Sequence, residues 1–182
     1  QGKSESVKIE NGAEGRNFEI LSSNYDENRH FFLGHFFRDN YENWLSSLPQ
    51  VISGLNITRV EVYILNRNNN TETLRNFLAL MDLGEGSKIH KPSNSNIGNG
   101  VEGPNDNTAN KLFASLIDKP NLRNIESVNE IMKNDFSLVN SIDFEKVTST
   151  RKLSDTEYKV NGTLGYISLL RKLQNDEVLA VS

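Results

Sequence analysis

The sequence predicts an α+β fold: mostly antiparallel β-sandwich or jelly-roll-like sheets carrying about three short helices. Three observations predict it. Residues 143–182 hold four short alternating runs, separated by turn residues at Ser154-Asp155, Asn161-Gly162 and Asn175-Asp176. Residues 57–65 alternate strictly over their first eight positions. Residues 37–48, 108–117 and 126–133 instead repeat apolar side chains at helical spacing.

The elements follow in order. Residues 1–15 are polar and glycine-containing, which predicts a loosely held arm with a short extended piece at 7–9. Residues 18–21 read as a strand. Residues 30–33 are apolar and stop at Gly34, a short buried strand. Phe37, Tyr41, Leu45 and Leu48 then form a helical stripe with Trp44 beside it. Asp39 and Glu42 sit where the helix dipole favours acids, and Pro49 ends the helix.

In 57–65, Ile57, Arg59, Glu61 and Tyr63 face one way and Thr58, Val60, Val62 and Ile64 the other. Residues 66–70 make a turn, and the apolar run 74–83 is expected to pair with 57–65 as its antiparallel neighbour. Residues 85–107 are rich in Gly, Ser, Asn and Pro, with few large apolar side chains, and read as a long mobile loop. Leu112, Phe113, Leu116 and Ile117 share one side of the next helix, which Pro120 closes. Val128, Ile131 and Met132 point inward from the third. Residues 143–182 complete the chain as a C-terminal β-meander. Its last strand is expected at a sheet edge, with Leu179 and Val181 covered on one face and Val178 and Ala180 on the other.

Length favours one domain over 1–182 with a real core. Hydrophobic residues make up only 36%, which suggests a thin core under long polar loops. A net charge of -4 argues against a nucleic-acid or anionic-membrane surface. Cysteine is absent, which removes disulfides, thiolate zinc sites and a cysteine nucleophile. No run of ~18 apolar residues occurs. The chain starts without an initiator Met and ends at Ser182 within the last predicted strand. The expectation is a single soluble domain excised from a larger protein.

Each candidate for chemistry has a blander competitor. Gly98, Gly100 and Gly103 match GxGxxG, but no strand precedes them and no apolar helix follows, so the phosphate-cradling context is missing. His30 and His35 lie five apart across Gly34, and His90 is remote, which is poor spacing for zinc. Residues 66–70 imitate a calcium loop but lack its acids and its glycine. Asp82 and Glu85 offer a carboxylate pair, which needs a pocket to become an acid–base pair. Trp44 reads as core before it reads as a sugar-stacking platform. No GxSxG elbow is present. The chain is therefore read as no enzyme: no catalytic, cofactor-binding or metal residue is assigned.

Four stretches carry a resemblance: residues 25–42 (YDENRHFFLGHFFRDNYE), 57–63 (ITRVEVY), 75–85 (RNFLALMDLGE), and 144–147 onward through 177–181 (EVLAV). Together they resemble the SprA/Sov family, the large outer-membrane translocon of the type IX secretion system of Bacteroidetes, linked to gliding motility. The resemblance covers most of the chain in order and is weakest over 86–107. It implies an outer-membrane β-barrel parent that passes folded cargo outward, with this chain as a soluble structural or gating insertion, periplasmic or extracellular. Implied partners are the rest of the barrel, other secretion-system proteins and secreted cargo, with no nucleic acid and no cofactor. The competing reading is a carbohydrate- or protein-binding module of a bacterial surface protein.

Overall fold

A computed structural model describes residues 5–7, 18–20, 25–65 and 74–182. The turn expected at 66–70, and with it the calcium-loop candidate, lies outside these residues, as does most of the N-terminal arm. Strands β1 (Glu5–Val7) and β2 (Phe18–Ile20) pair antiparallel as a separate ribbon. β3 (His30–Phe32), α1 (His35–Leu45), β4 (Val62–Leu65), β5 (Arg75–Leu80), α2 (Leu112–Ile117) and α3 (Val128–Phe136) follow. The last four are β6 (Phe144–Lys152), β7 (Tyr158–Asn161), β8 (Tyr166–Leu169) and β9 (Leu179–Val181). The fold is α+β, with two main antiparallel sheets in the orders β3-β8-β7 and β5-β6-β4-β9.

The sheets meet over one apolar layer. Val62 and Ile64 of β4 pack with Tyr158, Ile167 and Leu169 of the smaller sheet, and all five are buried. Tyr63 points the opposite way and meets the Phe77 ring at 4.4 Å between centroids. β4 is thus covered on both faces, as its apolar run requires of a central strand. The apolar face read from the alternation, Val60, Val62 and Ile64, is the face that enters this layer. At the other end of the larger sheet, Phe144 joins Leu112, Leu116, Val128, Met132 and Phe136 from α2 and α3. α1 buries Phe37 and Trp44 against Leu164 of the β7–β8 hairpin.

Strand pairing departs from the sequence reading in two places. β4 and β5 are not neighbours, because β6 lies between them. β6 has nine residues, enough to pair β5 along 144–150 and β4 along 150–152. A bulge opposite Asn76 re-aims it midway, where Ser149 takes φ 59° and donates its N–H to Asn76 Oδ1 at 3.1 Å.

Nor is 143–182 one meander. Only β7 and β8 form a direct hairpin, while β6 and β9 join the larger sheet on either side of β4. Two turns carry the chain between sheets, and each is locked by a glutamate. Glu157 accepts from both Arg151 guanidinium nitrogens (3.0 and 2.7 Å) and from the Ser154 N–H (2.9 Å). Glu177 accepts from both Arg171 nitrogens (2.8 and 2.7 Å) and from the Gln174 N–H (3.0 Å). Bidentate arginine–carboxylate pairs fix direction as well as distance. Arg151 and the Ser154 donors outweigh partial burial and lower Glu157 to a pKa of about 2.

Four apolar assignments also change. The 30–33 run, expected as a buried strand, forms the edge strand β3, with Phe32 40% exposed. Leu48 and Ile117, expected on buried stripes, are 63% exposed. The helices stop at Leu45 and Ile117, so neither residue has a following turn to cover it. β9 does lie at the sheet edge, but Val178 precedes it and is 39% exposed, so the last strand is not covered on both faces.

Candidate site beneath the 82–110 loop

The chain leaves β5 through a tight turn in which the Glu85 N–H donates to Asp82 O at 3.2 Å. Asn110, buried just before α2, donates its amide to Asp82 O (2.7 Å) and Glu85 O (2.9 Å), tying both ends of that turn to the helix. The two candidate carboxylates are buried. Asp82 Oδ2 accepts the His90 N–H at 3.0 Å. Glu85 Oε1 accepts Asn105 Nδ2 at 3.0 Å and the His35 N–H at 3.4 Å. The two acids therefore bind backbone and amide donors, an arrangement that holds loops in place.

A third carboxylate, missed by the sequence reading, is buried deeper. Asp143 is 4% exposed and accepts Lys91 Nζ (2.6 Å) and the Val139 N–H (2.7 Å) at Oδ2. Burial pushes its pKa up, but Lys91, the Val139 N–H and the nearby His90 together hold it below the usual carboxylate value. Nothing in the sequence distinguishes this Asp from a surface acid, because its partners lie 52 and 4 residues away.

The asparagine-rich loop has a physical task. The last turn of a helix leaves carbonyls without intrahelical partners. At the end of α3, Asn96 Nδ2 donates to Asp135 O (3.0 Å), Asn94 Nδ2 to Phe136 O (2.7 Å) and Lys91 Nζ to Ser137 O (3.2 Å). The loop thus caps a helix that begins some thirty residues after it. Ile97 fixes the other side. It is 1% exposed within the α2–α3 core, and its carbonyl accepts the Lys111 N–H at 2.8 Å. Residues 85–107 contain no helix or strand, as read, yet they carry an apolar anchor.

Of the GxGxxG glycines, Gly100 finds a reason here, whereas a Cβ on Gly103 would meet nothing within 4 Å. Gly86 and Gly100 lie where two stretches of the loop cross. A Cβ on Gly100 would stand 2.0 Å from Gly86 O, and one on Gly86 1.5 Å from Val101 O. Backbone meets backbone at the place where a nucleotide-binding loop would meet phosphate. The three histidines go to three places. His30 pairs with Ser168 Oγ at 2.8 Å on β3–β8, His35 lies 3.7 Å from Glu85, and His90 lies 3.7 Å from Asp143. Among the described residues no group of three His, Asp or Glu side chains is placed to hold a metal ion. Trp44 lies against Phe36 and Phe37 in the α1 cluster and is 9% exposed.

Over residues 2–174 the chain matches the family model SprA_N, described as motility related/secretion protein. The chain belongs to the SprA_N family. Membership agrees with the resemblance carried by residues 25–42, 57–63 and 75–85, and it ties the chain to motility and secretion. No curated protein matches it. Among the described residues, no SprA_N helix is long and apolar enough to cross a membrane.

Proposed function

We propose that this chain is a structural or gating domain of an outer-membrane protein-secretion channel, acting mechanically and not as an enzyme. The observation that carries the reading is family membership across residues 2–174. The polar junction supports it. Asp82, Glu85 and Asp143 each accept donors from loop or helix-end residues, which ties down an irregular surface. On this reading the domain works against the barrel of its parent, other secretion-system proteins and passing cargo.

Photo-crosslinking in living cells tests it. A benzoylphenylalanine is placed at Val101, which is 71% exposed on the loop, within the full-length parent. Crosslinks to channel components or cargo, rising when secretion is active, are expected. Crosslinks confined to proteins outside the secretion machinery would overturn the reading.

The binding-module alternative divides. Burial of Trp44 takes away the stacking platform that a carbohydrate site would use. An open groove beside β5 favours protein binding.

A further inference from the structure

β5 is the outer strand of the larger sheet. Its pairing with β6 keeps a constant register from Phe77↔Val147 to Leu80↔Phe144, and the Met81 N–H donates to Asp143 O at 3.0 Å. Antiparallel ladders alternate hydrogen-bonded and non-bonded pairs. Met81 therefore belongs with Ala79 and Phe77 in the set that faces β6. The N–H and C=O groups of Leu78 and Leu80 point the other way, toward the open edge. Among the described residues neither has a backbone partner on that side. Natural edge strands are shielded by charge, proline or a covering element. Here the sequence at the edge is Phe77-Leu-Ala-Leu80, followed by Met81 at 62% exposure.

Beside this edge lies an apolar groove of about 870 Å³, lined by Leu78, Leu80, Leu83, Phe113, Ile117 and Leu122 among others. Ile117 is 63% exposed there. Among the described residues, the charged ones lining the groove are Lys119 and Arg123. Lys119 is paired with Asp135 at 3.1 Å, whereas no carboxylate among the described residues lies within ion-pair distance of Arg123. Outward-facing strand groups, an apolar groove beside them and the Arg123 cation at its rim describe one kind of occupant.

We propose that the β5 edge and its groove bind an extended, acid-flanked segment of a partner protein as an added β-strand. Main-chain bonds to Leu78 and Leu80 supply affinity, every second side chain enters the groove, and an acidic residue meets Arg123. Six residues of β5 offer about 20 Å of edge, room for a partner strand of similar length. The inference goes beyond the secretion reading and does not depend on it. Its test uses the isolated chain, so its failure leaves that reading standing.

The probe is a fluorescein-labelled peptide of about eight residues, alternating Val and Thr between flanking Asp residues. Anisotropy should show saturable micromolar binding, and a proline at the peptide's centre should abolish it. In ¹⁵N-resolved hydrogen exchange, the Leu78 and Leu80 amides should become protected on binding, while those of Phe77 and Ala79 are protected throughout. Arg123→Glu, an exposed change, should weaken the Asp-flanked peptide by about fivefold and improve binding of a Lys-flanked one. Lack of saturation, or binding with the Leu78 and Leu80 amides unmoved, would overturn the proposal. So would a peptide-independent dimer that protects those same amides, which would assign the edge to a second copy of the chain.

Discussion

Replacing Ile97 with alanine isolates the part of the structure that composition hides. The side chain is 1% exposed among Leu112, Leu116, Val128 and Met132. Truncation removes three carbons from that core. At ~0.8 kcal/mol per buried methylene, the lost transfer energy is about 2.4 kcal/mol. A residual cavity adds to this when the surroundings cannot close. Here they are held, because the Ile97 N–H donates to Asn94 O (3.0 Å) and its carbonyl accepts from Lys111 (2.8 Å). The expected cost is therefore about 3 kcal/mol, within the ~2–5 kcal/mol range for such truncations. Urea denaturation, followed by Trp44 fluorescence and circular dichroism, measures it. With a slope of ~2–3 kcal/mol/M, the midpoint should fall by about 1–1.5 M. Val101→Ala, at a loop position 71% exposed, is the control and should stay within ~0.5 kcal/mol of wild type. An Ile97→Ala midpoint equal to that control would show that the loop does not share the core, and the capping argument for residues 91–97 would fall with it.

Other consequences can be measured on the same protein. Gly100→Ala places a Cβ against Gly86 O, where backbone must move, and should cost ~1–3 kcal/mol in the same denaturation experiment. Asp143→Asn should cost ~1.5–3 kcal/mol, since an amide replaces a carboxylate bonded to Lys91 and the Val139 N–H. Because folding lowers the Asp143 pKa, its stabilisation is complete above its unfolded value of ~3.9 and is lost as pH falls through the lower folded value. A wild-type stability–pH curve steeper below pH ~4 than that of Asp143→Asn is the expected result. Carboxyl-resonance titration should place Glu157 and Glu61 at about 2. The Lys152, Tyr63 and Arg59 donors depress Glu61, and Lys152→Met should bring it back toward its ordinary range. The stabilisation from both glutamates is present above ~4.3 and fades as pH falls toward 2.

Local chemistry was legible in the sequence and long-range pairing was not. The 166–169 run forms β8, and the face of α3 read from Val128 and Met132 is its buried face. Both depend on periodicity, which a single segment contains. Alternation in 57–65 named the face that enters the core, but it cannot name a neighbour. Whether β5 or β6 lies beside β4 depends on β6 being long enough to pair both and on the glutamate-locked turns that send β7 and β8 to another sheet. The 85–107 composition correctly indicated irregular backbone. Its tie to the end of α3 was invisible, because a helix end capped by side chains some forty residues away leaves no local signal. The glycine pattern was set aside because no strand precedes it and no helix follows, but its use at Gly100 was not legible: the absence of a Cβ allows close approach, and the sequence does not name the approaching group.

The central claim is that this domain serves the secretion channel mechanically, and its in-frame removal from the full-length parent tests that most directly. Cargo in the culture medium is the readout, with parent protein in the outer-membrane fraction quantified alongside. The account predicts that cargo export is lost, or that the envelope leaks large solutes, while the parent is still present in that fraction. Unchanged export, unchanged motility and an intact permeability barrier in cells with normal parent levels would contradict it.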